Sequence, residues 1–202
     1  LLAVNQVRAN PGLAAAAVLA VQTPPAPAAQ NTEAPAYDAV GNALLPKNYR
    51  EWVWLSSGLG MTYNEPAGGD AAAPRRQNFT NVFVNPSSYR AFLQTGTWPD
   101  KTVLVLEIRG SESQGSINKG GNYQGAVRAI ELEVKDEKKF PGKWAFFSVK
   151  TGADRGTQFP QSADCYTCHA QHGAVDNTFV QFYPTLAEAA KAKGTLREMP
   201  AK

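Results

Sequence analysis

Cysteine, histidine and methionine are scarce in this 202-residue chain, with two of each. Two cysteines spaced three apart exclude the disulfide framework of a small exported domain, which needs more thiols at wider spacing. A concentration of one charge is also missing. Twenty basic and 17 acidic residues are interspersed for a net charge of +3, without the basic stripe of a nucleic-acid binder. The apolar run 12–21 covers ten residues, too few to cross a bilayer, which takes about 20. What is plentiful is aromatic: nine Phe, seven Tyr and four Trp suffice for one sizeable core.

Residues 1–36 read as an export signal followed by a flexible linker. Arg8 precedes the apolar run, and Pro24, Pro25, Pro27 and Pro35 punctuate the small-residue stretch after it. The folded domain is expected over 37–195, with a tail at 196–202. Between about 50 and 150 the pattern is mainly that of strands: 50–55, 79–84, 102–108, 126–135 and 144–149. A glycine-rich loop or hairpin is expected at 110–125 and a loop at 152–161. Helices are expected at 86–94, with Asn85 at the N-cap and Pro86 in the first turn, at 162–172, and from Leu186 to Lys193 before Gly194. The fold class is therefore α+β, an antiparallel sheet with a few helices packed on it.

The chemistry sits in Cys165, Cys168 and His169, which form the C-x-x-C-H pattern of c-type haem attachment. Two intervening residues let both sulfurs reach the vinyl groups on one edge of a macrocycle, and the following imidazole then projects beneath the iron. A redox dithiol leaves the adjacent histidine unexplained. Zinc fits the ligand types, since His172 extends the cluster to C-x-x-C-H-x-x-H. Structural zinc sites, however, draw ligand pairs from separated segments. One haem c with His169 as axial ligand is the expectation. His172, one turn further on, stays on the proximal side, and Met199 falls in the tail. Met61 is the one candidate for the sixth position; otherwise the iron is five-coordinate and open to small molecules.

The wider chain resembles the P-460 cytochromes and their relatives, the β-sheet cytochromes c′. The matching stretches are 44–53 (LLPKNYREWV), 84–89 (VNPSSY), 95–100 (TGTWPD), 134–136 (VKD), 144–147 (WAFF) and 179–184 (FVQFYP), besides the haem motif. The resemblance covers about 44–190. It implies an antiparallel-sheet c-type haem domain, usually a homodimer, with an open distal face. The export signal adds a place in the periplasm or outside the cell, where a periplasmic redox partner is expected.

P-460 cytochromes oxidise hydroxylamine and carry a lysine cross-link to the haem from a strand of the form T-V-x-V-K-E. Here Leu106 occupies the lysine's place, between Val105 and Glu107. Lys119 is the remote substitute. The resemblance puts the pocket acid on Glu131, which shares a strand face with Val127 and Ala129. It puts a further pocket position on Thr80, with Phe79 beside it; a slip of one residue reverses the face. Phe79, Phe83, Phe146 and Phe147 are the aromatics available to an apolar cavity. Three functions follow as expectations: binding of nitric oxide or a related nitrogen oxide at five-coordinate iron, P-460-type oxidation of hydroxylamine or peroxide chemistry, and electron transfer with Met61 ligated.

Overall fold

Alternation in two long segments sets the centre of the sheet, β4 (Val103–Glu112) paired antiparallel with β5 (Tyr123–Lys135). The computed structural model describes residues 33–62 and 77–198. Among these, β1 (Ala43–Leu44), β2 (Val53–Leu59), β3 (Asn78–Val84), β6 (Trp144–Val149) and β7 (Arg155–Gln158) complete one sheet in the order β1-β7-β6-β5-β4-β3-β2. Three helices accompany it: α1 (Pro86–Thr95), α2 (Asp164–His172) and α3 (Pro184–Lys193). The fold is α+β, as the strand and helix patterns require.

Residues opposite each other in antiparallel strands share a face, so the register resolves the sheet into two surfaces. The near face carries the row Ser56, Val82, Leu106, Glu131 and Ser148. Beside it run Val84, Leu104, Glu133 and Phe146 on one flank, and Gly58, Thr80, Ile108 and Ala129 on the other. The far face presents Val103, Val105, Leu132, Val134, Phe147 and Val149. It is covered by Tyr37, Tyr49 and Trp52 from the N-terminal segment and by Phe140. On the near face α1 and α3 cover only one end, where Phe92, Leu186 and Ala190 pack with Val84, Leu104 and Trp144. The uncovered remainder of that face holds the site.

Several local expectations are corrected. The 152–161 loop contains β7, whose polar sequence has no alternation to announce it. Pairing makes it a strand, and Gly156 lets its backbone lie against Phe147 and Val149, where a Cβ would come within 3.0 Å. The 50–55 strand starts at Val53, because residues 49–51 form a 3-10 turn. Asn85 occupies the N-cap position of α1, but its Oδ1 accepts from Val103 N at 2.9 Å instead of capping. Glu33 does that work, accepting from Ser87 N at 2.7 Å. Residues 33–36, expected in the linker, are thus tied to the domain, and Leu44 N donates to Ala36 O. Thr195 and Leu196 dock as well, and Arg197 N donates to Ala174 O, so the tail starts later than expected. The export signal and Met199 lie outside the described residues.

The far face also buries a charge. Glu107, 2% exposed, accepts from Arg109 Nε at 2.5 Å, from Arg50 and from the Tyr49 hydroxyl. Burial pushes its carboxyl up, but these donors outweigh burial and hold it below the usual range. A depressed carboxyl stabilises the fold above its unfolded pKa of about 4.3, and that stability is lost as pH falls through the folded value. Glu107→Gln should cost roughly 3 kcal/mol at neutral pH, by stranding the guanidinium charges. The gap from the wild type should begin to narrow below about pH 4 and close only below the depressed folded value; urea denaturation across that range checks it.

Candidate functional site

Helical spacing decides which side chains of the C-x-x-C-H segment act together. Positions i, i+3 and i+4 lie on one face of a helix, so α2 turns Cys165, Cys168 and His169 toward the sheet. None of its residues is buried. The inner side of α2 meets the sheet through Tyr166 and His169, whose rings pack on Phe146, and closes a cavity of about 610 Å³ over the uncovered near face. The other walls are Val82, Leu104, Leu106 and Phe146 from the strands, with Phe159 and Phe179 from the segments flanking α2.

The imidazole is the most constrained group there. His169 lies between the rings of Phe146 and Phe179, with centroids at 4.4 and 4.3 Å. Its Nδ1 is 2.8 Å from the carbonyl oxygen of Asn177. A carbonyl only accepts, so Nδ1 carries the hydrogen and Nε2 keeps a free lone pair, the arrangement of a metal-binding histidine. Asp176 and Asn177 adopt positive φ, 51° and 62°, which turns that carbonyl back toward the helix. Gly173 makes room for the turn: a Cβ there would lie 2.5 Å from the Asn177 carbonyl carbon and 2.7 Å from Thr178 N.

Three acids, Glu131, Glu133 and Asp164, line this largely apolar enclosure. Glu133 Oε1 is 3.3 Å from His169 Nδ1, yet it is buried without a hydrogen bond, because the one Nδ1 hydrogen points at Asn177. Burial drives the imidazole toward its neutral form. The Glu133 charge, the Asn177 carbonyl and Glu131 outweigh that and raise its pKa above the ordinary value. Glu131 is raised by burial, with His169 pulling weakly the other way. Burial likewise pushes the Cys165 thiol up.

Cys165, Cys168, His169, Glu131, Leu106, Thr80 and Met61 all line the cavity. Phe79 does not. It pairs with Leu59 and Arg109 on the far face, the side opposite Thr80, so the pocket position belongs to Thr80 alone. Phe83 and Phe147 also belong to the far-face core, and of the four aromatics only Phe146 reaches the cavity. Lys119 lies in the 113–122 loop, on a separate surface hollow with Ile117 and Tyr123. His172 is exposed on α2 and does not join the zinc-type cluster. Glu133 had a signal in the sequence, since it lies two residues beyond Glu131 on the same strand face. Asn177 had none, because it contributes backbone.

These residues fit a haem. Two thiols and a tautomerically fixed imidazole share one wall, hydrocarbon lines most of the rest, and the volume lies within the 300–1,000 Å³ typical of ligand sites. No curated protein matches the chain. The family model described as Cytochrome P460 matches residues 46–180, from the far-face cover through α2 to the ring of Phe179. The chain therefore belongs to the cytochrome P460 family, a membership that implies haem c.

Proposed function

We propose that the protein is an exported, periplasmic mono-haem cytochrome that binds nitric oxide or a similar small nitrogen oxide at five-coordinate iron. Cys165 and Cys168 would hold the haem through thioether bonds, and His169 Nε2 would ligate its iron. The observation that carries this reading is the α2 face, with both thiols and the imidazole turned into one apolar cavity. Bound there, the haem supplies an open coordination position for a diatomic ligand. Val82, Leu104 and Leu106 exclude water, which favours a small neutral ligand over a charged one. Glu131, its carboxyl pushed up by burial, is the group at the cavity wall that can offer a proton as a hydrogen bond to a bound nitrogen oxide.

The hydroxylamine-oxidising alternative needs a lysine where Leu106 stands, and Leu106 carries no nitrogen to bridge the macrocycle. Lys119 does not line the cavity. The electron-transfer alternative has one observation in its favour. Met61 lines the cavity, with its sulfur folded over Gly58, where a Cβ would meet it at 2.4 Å. A homodimer and a periplasmic redox partner rest on the family likeness. Trp54 and Leu59, exposed on the far face of edge strand β2, offer a second copy an apolar surface.

Protein matured in a host competent for cytochrome c assembly should gain the mass of one haem, and Cys165→Ser with Cys168→Ser should abolish the covalent gain. Its reduced spectrum should be high-spin, without the strong red shift of a cross-linked macrocycle, and should change on nitric oxide addition. A mature chain with no added mass and no Soret band ends the proposal. Met61→Ala should leave that spectrum as it is; conversion from low to high spin would establish Met61 as the sixth ligand instead. Nitric oxide affinity should show a pH inflection above the ordinary glutamate value of about 4.3, as the raised Glu131 ionises. Glu131→Gln should remove that inflection while affinity at low pH stays near wild type, as a titration across pH 4 to 9 would show.

A further inference from the structure

Lys135 ends β5 two residues beyond Glu133, and it is 5% exposed. A buried ammonium is costly unless its donors are matched, and these are. Its Nζ donates to the carbonyl of Trp98 at 2.7 Å and to Asp176 Oδ2 at 2.9 Å, with Glu137 at 3.6 Å. Asp176 Oδ2 also accepts from Trp98 N at 3.3 Å. The Trp98 indole donates to Thr178 Oγ1 at 2.8 Å, and Thr178 Oγ1 in turn donates to Val175 O at 2.6 Å. Both flanks of Asn177 are therefore pinned from outside the cavity. The pinned turn contains two consecutive non-glycine residues at positive φ, a conformation that reverts unless something holds it.

We propose that the Lys135–Asp176 ion pair is a positioning device for the proximal imidazole. It holds the Asn177 carbonyl on His169 Nδ1 and so sets how strongly His169 donates electrons at Nε2. The inference rests on His169 being the axial ligand, and it goes beyond that reading by assigning a function to two residues outside the cavity wall. A stronger hydrogen bond at Nδ1 gives the imidazole more imidazolate character, which favours ferric iron and stiffens the iron–histidine bond. Loosening the turn weakens the hydrogen bond and reverses both effects.

The test uses the full-length protein with haem attached, and compares wild type with Asp176→Asn, Lys135→Met and Gly173→Ala. The last drives a Cβ into the Asn177 peptide. Two quantities are read: the iron–histidine stretching frequency by resonance Raman, and the midpoint potential. All three variants should lower the frequency and raise the potential. The expected change in the reduced-to-oxidised ratio at fixed potential is about tenfold, or about 59 mV for a one-electron couple. Charge alone predicts otherwise, because removing an anion raises the potential and removing a cation lowers it. Opposite shifts in Asp176→Asn and Lys135→Met, or frequencies unchanged while the unfolding midpoint falls, overturn the proposal. Asn177→Gly, which keeps the carbonyl and tolerates positive φ, should restore wild-type values in both readouts. If Lys135→Met or Gly173→Ala fails to fold, the near-isosteric Asp176→Asn decides through the frequency alone. A chain that carries no haem overturns the earlier reading; a haem-loaded chain insensitive to all three variants overturns this one only.

Discussion

The hydrogen bond from His169 Nδ1 to the Asn177 carbonyl is the contact on which the site depends. It fixes one tautomer, aims Nε2 into the cavity and links α2 to the segment that follows it. Without it, α2 would rest on the ring contacts of Tyr166 and His169 with Phe146 and on hydrogen bonds to its carbonyls from Gln181 and Arg197. None of its residues is fully buried, so it lacks much of the apolar burial that stabilises α1 and α3, roughly 25 cal/mol per Å². A flat, largely apolar prosthetic group would supply contact area of that kind and serve as part of the core.

The sheet supplies a chemically mixed wall by a simple rule. Over residues 130–134, strand alternation gives β5 an apolar face, with Ile130, Leu132 and Val134, and one face on which Glu131 and Glu133 interrupt hydrocarbon. The two acids then diverge through their surroundings. Glu133 sits against His169 and raises the imidazole pKa, whereas burial pushes the Glu131 carboxyl up. Under the proposed function, carboxyls two residues apart would serve the metal side and the ligand side of the chemistry separately.

Much of this was legible in the amino acids, and the exceptions share a cause. The C-x-x-C-H segment singles out two thiols and one imidazole, and the alternation of 126–135 places Glu131 and Glu133 on one face before any fold is known. Period-2 reasoning failed only where register was needed. Thr80 and Phe79 could not be told apart until β3 was paired with β4, and pairing sends Phe79 to the far side. The strand β7 and the cap from Glu33 were invisible because both arise from contacts distant in sequence. Asn177 was unreadable for a different reason: its contribution is a peptide oxygen, which any residue type carries.

Gly173 extends the meaning of the haem motif. Its φ of −71° is ordinary, so the glycine is demanded by proximity alone, with the peptides of residues 177 and 178 pressed where a side chain would be. The working signature is therefore longer than five residues. It runs from Cys165 through a glycine four positions after the histidine to a left-handed Asp-Asn pair, and its parts cannot drift independently. A related chain that keeps C-x-x-C-H but places a bulkier residue at this glycine must route its histidine's second nitrogen to some other acceptor, and its iron chemistry would diverge accordingly.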